Sequence, residues 1–117
     1  MEKVVEKEIE KIEKIKKTIK EMKLVKREMN GYSRYVVEVT LINGKKFDAR
    51  LKSYDMDNLV DEVGADNFVI TYETRTSSEK QKEFDTFVVS CPEAGYETFA
   101  FASRENVALM TLLSNKK

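Results

Sequence analysis

Apolar residues recur every three or four positions through residues 2–29, a segment with neither glycine nor proline. The apolar positions are Val5, Ile9, Ile12, Ile15, Ile19, Met22, Val25 and Met29. This spacing places them on one face of an α-helix. Asn30-Gly31 follows, and glycine commonly ends a helix because it tolerates a left-handed backbone. The pattern therefore predicts one long, charged N-terminal helix.

The hydrophobic period changes to two after Tyr32, which is typical of β-strands. Val37, Val39 and Leu41 alternate with other residues, and Asn43-Gly44 predicts a type I′ hairpin turn. The returning strand is expected over residues 45–52. Its apolar face carries Phe47, Ala49 and Leu51, and its polar face carries Lys46, Asp48, Arg50 and Lys52.

The remaining pattern predicts two more helices and three more strands. Residues 55–63 suit a short helix, capped by Ser53 or Asp55 and ended by Gly64, although a strand over its second half is an alternative. Strands are expected over residues 67–74, 84–91 and 96–102, and Ser103 caps a closing helix to about residue 114. The fold class is α+β, with an antiparallel sheet of about five strands, a short middle helix and a C-terminal helix.

The long first helix also predicts how the chain assembles. We expect residues 1–30 to form a packing or oligomerisation helix and residues 31–117 to form the α+β domain. At 1.5 Å per residue the helix would be roughly 40 Å long, more than a domain of this size easily covers. Part of the apolar stripe is therefore expected to contact a second copy, and packing on the chain's own sheet is the alternative.

Composition narrows the function classes. The chain has 117 residues, 36% of them charged, a formal net charge of zero, no histidine and one cysteine. Without histidine, the commonest general base and metal ligand are missing. We therefore expect no enzyme activity, no metal and no cofactor. Cys91 is expected to be inert, and the absence of a long apolar run predicts a cytoplasmic protein that does not enter a membrane.

A first candidate binding site lies at the start of the closing helix. Arg104 follows the aromatic pair Phe99 and Phe101, and Asn106 lies two positions further on. A guanidinium, an amide and the free N–H groups of a helix start can converge on an anion. The alternative is that Arg104 is an exposed residue of the first helical turn.

A second candidate lies where the long helix meets the first strand. Arg27, Arg34 and Tyr32 are close together in the sequence, next to Tyr35. Arginine can contact a phosphate, and a tyrosine ring can stack on a base. The alternative is that the tyrosines only pack at the edge of the sheet.

Two resemblances add functional expectations. Residues 36–55, VVEVTLINGKKFDARLKSYD, resemble the first motif of the Sm-like and Hfq RNA-binding barrels, with Asn-Gly, a small residue at Ala49 and an aromatic-Asp pair at Tyr54-Asp55. Those families usually have glycine where Ala49 stands. The resemblance implies RNA binding. The second Sm-like motif, which carries much of the RNA pocket in those families, is not evident later in the chain.

The chain combines a Lys-rich opening helix, a compact sheet and the closing segment SRENVALMTLL. This whole-chain plan resembles the first family of phage Thoeris anti-defence proteins. The resemblance implies a non-enzymatic sponge that captures cyclic ADP-ribose-type signals in pockets between protomers, inside a bacterial host cell.

The leading hypothesis from the sequence is an oligomeric protein that sequesters a small phosphorylated nucleotide. Its phosphate or ribose contacts would be Arg104, Asn106, Arg27 and Arg34, and its stacking surfaces would be Phe99, Phe101 or Tyr32. The alternatives are an Sm-like RNA-binding protein and a protein-directed inhibitor or interaction module, such as an anti-CRISPR-type protein.

Overall fold

The computed structural model describes residues 2–53, 56–79 and 81–115, with side chains described from Glu10 onward except at Met29. The helices are α1 (Glu2–Thr18), α2 (Met56–Val63) and α3 (Arg104–Ser114). The strands are β1 (Ile19–Met29), β2 (Tyr32–Leu41), β3 (Lys46–Leu51), β4 (Val69–Thr76), β5 (Glu83–Cys91) and β6 (Tyr96–Phe101). The α+β class and the antiparallel sheet are confirmed, with six strands in place of about five.

The sheet consists of two three-stranded meanders that meet at their third strands. Its order is β1-β2-β3-β6-β5-β4, and all neighbours are antiparallel. Each meander follows a helix, α1 before β1 to β3 and α2 before β4 to β6. The halves join at β3 and β6, where Arg50 pairs with Phe101 and Leu51 with Ala100. Residues about 50 positions apart thus become neighbours in the middle of the sheet.

The prediction of one helix over residues 2–29 is wrong in its second half. The helix ends at Thr18, whose hydroxyl donates to the carbonyl oxygen of Ile15 at 2.7 Å. Residues 19–29 form β1, paired with β2 from Ile19 to Met29. Lys, Glu and Met have high helix propensity, but pairing with a neighbouring strand overrides propensity. In the strand, Leu24 enters the core.

The two Asn-Gly turns also differ from their predicted roles. Asn30-Gly31, predicted to end a helix, is a two-residue hairpin loop with φ values of 48° and 87°, which is the pattern of a type I′ turn. At Asn43-Gly44, predicted as type I′, only Gly44 has positive φ, at 88°. The Gly44 amide donates to Leu41 and the Leu41 amide donates to Lys45, both at 2.9 Å. This is a longer loop that ends in a left-handed glycine.

All three helices pack on one face of the sheet. Ile15 of α1, Val60 of α2 and Met110 of α3 are at most 1% exposed and join one core with Val37 and Phe87. The predicted cap of the closing helix is confirmed, because the Ser103 hydroxyl accepts from the Asn106 amide. The helix reading of residues 55–63 is also confirmed, although the proposed cap Asp55 lies outside the described residues.

The sheet is curled, so that its two edge strands approach each other. A cavity of about 330 Å³ has both edges among its lining residues, with Ile19 and Met22 from β1 and Ile70 and Tyr72 from β4. The helices lie inside this curl, which leaves the opposite face of the sheet without a covering element in the described chain. In that same part of the chain, no helix is both long and apolar enough to cross a membrane.

Candidate functional site

The sheet face opposite the helices, here called the open face, follows from strand geometry. Successive residues of a strand point to opposite faces, and Val37, Ala49 and Ala100 point into the core. Their neighbours therefore point outward. The open face includes Arg27, Arg34, Val36, Glu38, Asp48, Arg50, Phe84, Val88, Phe99 and Phe101.

A cavity of about 530 Å³ lies on the open face, where β6 ends. We call it the β3–α3 cavity. It lies beside the junction of β3 and β6, where Arg50 pairs with Phe101 and Leu51 with Ala100. After Phe101 the chain leaves the sheet to enter α3. The lining residues are Val36, Asp48, Arg50, Leu51, Lys52, Phe101, Ala102 and Ser103.

The walls of the β3–α3 cavity combine an aromatic ring with cations. Val36 is 2% exposed, whereas the Phe101 ring is 41% exposed and stands opposite Arg50 across the two strands. Arg50 and Lys52 are exposed, and neither forms an ion pair with a carboxylate among the described residues. Two cations are therefore available beside an exposed ring.

The carboxylate in the cavity wall is already compensated. Asp48 accepts two hydrogen bonds from Arg27, Nε to Oδ2 and Nη2 to Oδ1, each 3.2 Å long. Arg27 also donates to Glu38. These bonds raise the pKa of Arg27, and the bond from Arg27 is the main reason why the pKa of Glu38 lies below its usual value. The remaining charge in the cavity is that of Arg50 and Lys52.

Arg34 and Tyr32 lie further along β2. The Arg34 Nη2 group donates to the carbonyl oxygen of Leu51 at 3.4 Å, so this side chain lies against the end of β3. Tyr32 begins β2 and is 58% exposed. By register, Tyr32 and Arg34 share the open face with Val36.

Three phenylalanine rings form a cluster beside the β3–α3 cavity. Phe84 and Phe99 meet edge to face, with ring centroids 5.5 Å apart and an interplanar angle of 88°. The Phe99 and Phe101 centroids are 6.4 Å apart. Val88 lies opposite Phe99 in register and is 2% exposed. The cluster is therefore an aromatic surface that covers the buried Val88.

The structure brings most of the predicted site residues onto one face. Arg27, Arg34 and Tyr32 from the junction of β1 and β2 share the open face with Phe99 and Phe101 of β6. They had been assigned to two separate candidate sites, because the sequence does not show that β3 lies beside β6. Of these residues, Phe101 lines the β3–α3 cavity.

The two predicted residues on α3 lie elsewhere. Arg104 is exposed in the first turn and is not among the residues that line the β3–α3 cavity. Asn106 lines a second groove, of about 380 Å³, together with Lys46, Phe47 and Leu112. Ser103, the cap of the same helix, does line the β3–α3 cavity.

Sequence reasoning missed Arg50, Lys52 and Ser103 as site residues. The polar face of residues 45–52 contained the signal for Arg50 and Lys52, because alternation separates them from Phe47, Ala49 and Leu51. The sequence did not show which strand lies beside β3. Phe101 becomes a neighbour of that face only when β6 pairs with β3.

The described residues offer little for metal or thiol chemistry. No group of three or more His, Cys, Asp or Glu side chains there is placed to hold a metal ion. Cys91 is buried at the end of β5 with 0% exposure. In comparisons with known proteins, no protein family, no curated protein and no solved structure matched this chain.

Proposed function

We propose that this protein binds a phosphorylated nucleotide in the β3–α3 cavity without acting on it chemically. The observation that carries the proposal is the cross-strand pair of Arg50 and Phe101 at the cavity wall. A base can stack on an aromatic ring, and a guanidinium offers a planar set of donors that matches phosphate. The pair thus supplies complementary contacts for both parts of a nucleotide.

Size and charge support the same ligand class. The cavity volume of about 530 Å³ falls within the roughly 300–1,000 Å³ that is usual for small-molecule sites. Arg27 compensates Asp48, so a phosphate that approaches Arg50 would meet no net repulsion from the wall. The Phe101 ring, 41% exposed, offers the apolar surface for the base.

The biological role that we propose for this binding is sequestration of a nucleotide signal. This role rests on the resemblance to the phage Thoeris anti-defence family, together with the expectation that copies of the chain associate through α1. Native mass spectrometry of freshly purified protein would test both parts, since it reports the number of subunits and any nucleotide that copurifies.

Isothermal titration calorimetry with the four ribonucleoside 5′-monophosphates tests the binding proposal directly. We expect saturable binding of at least one of them. Arg50→Gln should weaken it about tenfold or more, because a charge-assisted hydrogen bond contributes roughly 1.5–3 kcal/mol. Phe101→Ala should weaken it by at least about fivefold through loss of stacking.

Two matched substitutions outside the cavity serve as controls. Lys45→Gln removes an exposed cation from the β2–β3 loop, and Leu112→Ala removes an exposed apolar side chain from α3. Both should leave the affinity unchanged. If none of the four nucleotides bound at millimolar concentration, or if Arg50→Gln bound as well as the unaltered protein, the proposal would be wrong.

A further inference from the structure

The pair formed by Arg50 and Phe101 has a counterpart one step along the same two strands. The backbone amide of Lys52 donates to the carbonyl oxygen of Phe99 at 2.8 Å, so these two residues are also neighbours across β3 and β6. Lys52 follows Arg50 by two positions, and Phe99 precedes Phe101 by two. Lys52 directly follows β3 and lines the same cavity as Arg50, and Phe99 and Phe101 share a face as alternate residues of β6. The arrangement is therefore a twofold repeat of cation and ring.

The repeat has a defined length and a rigid base. The Phe99 and Phe101 ring centroids are 6.4 Å apart, and successive bases of a single strand can stack on such neighbouring aromatic side chains. Phe84 packs edge to face against Phe99, with centroids 5.5 Å apart, which restricts the orientation of that ring. The second ring is therefore held in place before any ligand arrives.

The charge follows the same repeat. Arg50 and Lys52 both line the β3–α3 cavity, and neither is neutralised by a carboxylate of the described residues. A mononucleotide placed on Phe101 and Arg50 would leave Lys52 and Phe99 without a ligand group. Two cations and two rings match two phosphates and two bases.

We propose that the ligand of this site is a dinucleotide unit whose two nucleosides are joined through phosphate. One base stacks on Phe101 with its phosphate near Arg50, and the other stacks on Phe99 with its phosphate near Lys52. This inference rests on the proposed nucleotide site. It adds a ligand class, namely phosphodiester-linked dinucleotides, which can be linear or cyclic.

Calorimetry with three adenine nucleotides tests this ligand class. The probes are adenosine 5′-monophosphate, the linear dinucleotide pApA and cyclic diadenylate. We expect at least one dinucleotide to bind about tenfold or more tightly than the monophosphate. The two dinucleotide probes distinguish a linear from a cyclic ligand.

Substitutions at the second half of the repeat locate the additional contact. Phe99→Leu keeps an apolar side chain in the cluster and removes the ring, and Lys52→Gln removes the charge. Each should weaken dinucleotide binding at least about fivefold and should weaken monophosphate binding by a smaller factor. Lys45→Gln is the control, and circular dichroism confirms that each variant is folded.

The outcomes separate this inference from the proposed function. If the monophosphate binds in an Arg50-dependent manner but neither dinucleotide binds more tightly, only the dinucleotide inference is overturned. The same holds if a dinucleotide gains affinity that Phe99→Leu and Lys52→Gln leave intact, since the second nucleotide would then lie elsewhere. If no probe binds, both proposals fail together.

Discussion

Arg27 and Asp48 are joined by two hydrogen bonds of 3.2 Å although they lie on β1 and β3, with β2 between them. Arg27 pairs with Arg34 and Asp48 pairs with Glu38, so the contact between Arg27 and Asp48 passes over Val36. Val36 is 2% exposed. The ion pair therefore covers an apolar residue and also compensates the carboxylate in the wall of the β3–α3 cavity. A contact that spans three strands thus stabilises the sheet and shapes the candidate site.

Acid should destabilise the protein through two carboxylates. The hydrogen bond from Arg27 lowers the pKa of Glu38, and the hydrogen bond from Tyr35 lowers the pKa of Asp61. A carboxylate with a lower pKa in the folded state contributes stability above its unfolded pKa, and this contribution disappears as pH falls through its folded pKa. The melting temperature should therefore fall between about pH 5 and about pH 2, the range in which such carboxylates titrate.

The substitution Glu38→Gln identifies one source of this acid sensitivity. It should lower the melting temperature at neutral pH and make its fall in acid less steep. Glu93→Gln, in an exposed turn, serves as the control and should leave the profile unchanged. A Glu38→Gln variant with the same acid profile as the unaltered protein would argue against the Arg27–Glu38 contact.

Tyr72 should ionise only in strongly alkaline solution. Burial raises its pKa to about 12, because the phenolate would lose its hydration inside the core. In a spectrophotometric titration of tyrosinate, we expect a late step that Tyr72→Phe removes. Tyr32→Phe, at a 58% exposed position, should leave the late step in place. The pKa of Tyr35 is also raised, mainly because its hydroxyl donates to Asp61, so the double variant Tyr35→Phe/Tyr72→Phe separates the two groups. A late step that is the same with and without Tyr72 in the Tyr35→Phe background would contradict the burial of Tyr72.

Met110 and Leu112 should respond differently to truncation, although both are apolar residues of α3. Met110 is 0% exposed, whereas Leu112 is 57% exposed. Met110→Ala should lower the free energy of unfolding by about 2–5 kcal/mol, because it leaves a cavity in the core. Leu112→Ala should change it by no more than about 0.5 kcal/mol. Urea denaturation measures both, and equal losses would contradict the orientation of α3.

The turn at Asn30-Gly31 should depend on its glycine. Gly31 has a φ of 87°, and a Cβ atom there would meet no atom within 4 Å, so the cost of Gly31→Ala is backbone strain alone. We expect a loss of about 1–2 kcal/mol in the free energy of unfolding. Lys45→Ala, an exposed residue next to the other Asn-Gly pair and without positive φ, should cost less. An equal or smaller loss for Gly31→Ala would point away from a type I′ turn.

Local patterns in the sequence determined most elements from residue 32 onward. The alternation around Val37, Val39 and Leu41 identified β2, and Ser103 marked the start of α3. The alternation reflects burial of one face of the strand. The Ser103 hydroxyl satisfies a backbone amide a few residues away. Both effects act over short stretches of chain, so the residues themselves carry the information.

Residues 19–29 show where local information was insufficient. Ile19, Met22, Val25 and Met29 have helical spacing, yet Leu24 is the buried residue of the strand that forms there. The free energy of pairing with β2 decides whether residues 19–29 form a helix or a strand. That free energy depends on the sequence of β2, not on residues 19–29 alone. The duplicated plan of a helix followed by a three-stranded meander also became visible only in the topology.

By itself, the sequence determined an α+β chain with an antiparallel sheet, the residue types suited to nucleotide contacts, and the positions of most turns. Only the tertiary structure decided that Arg50 faces Phe101 and Lys52 adjoins Phe99. The physical reason is that these contacts join β3 to β6 across about 50 residues of chain. No periodicity within either strand specifies which strand will become its neighbour.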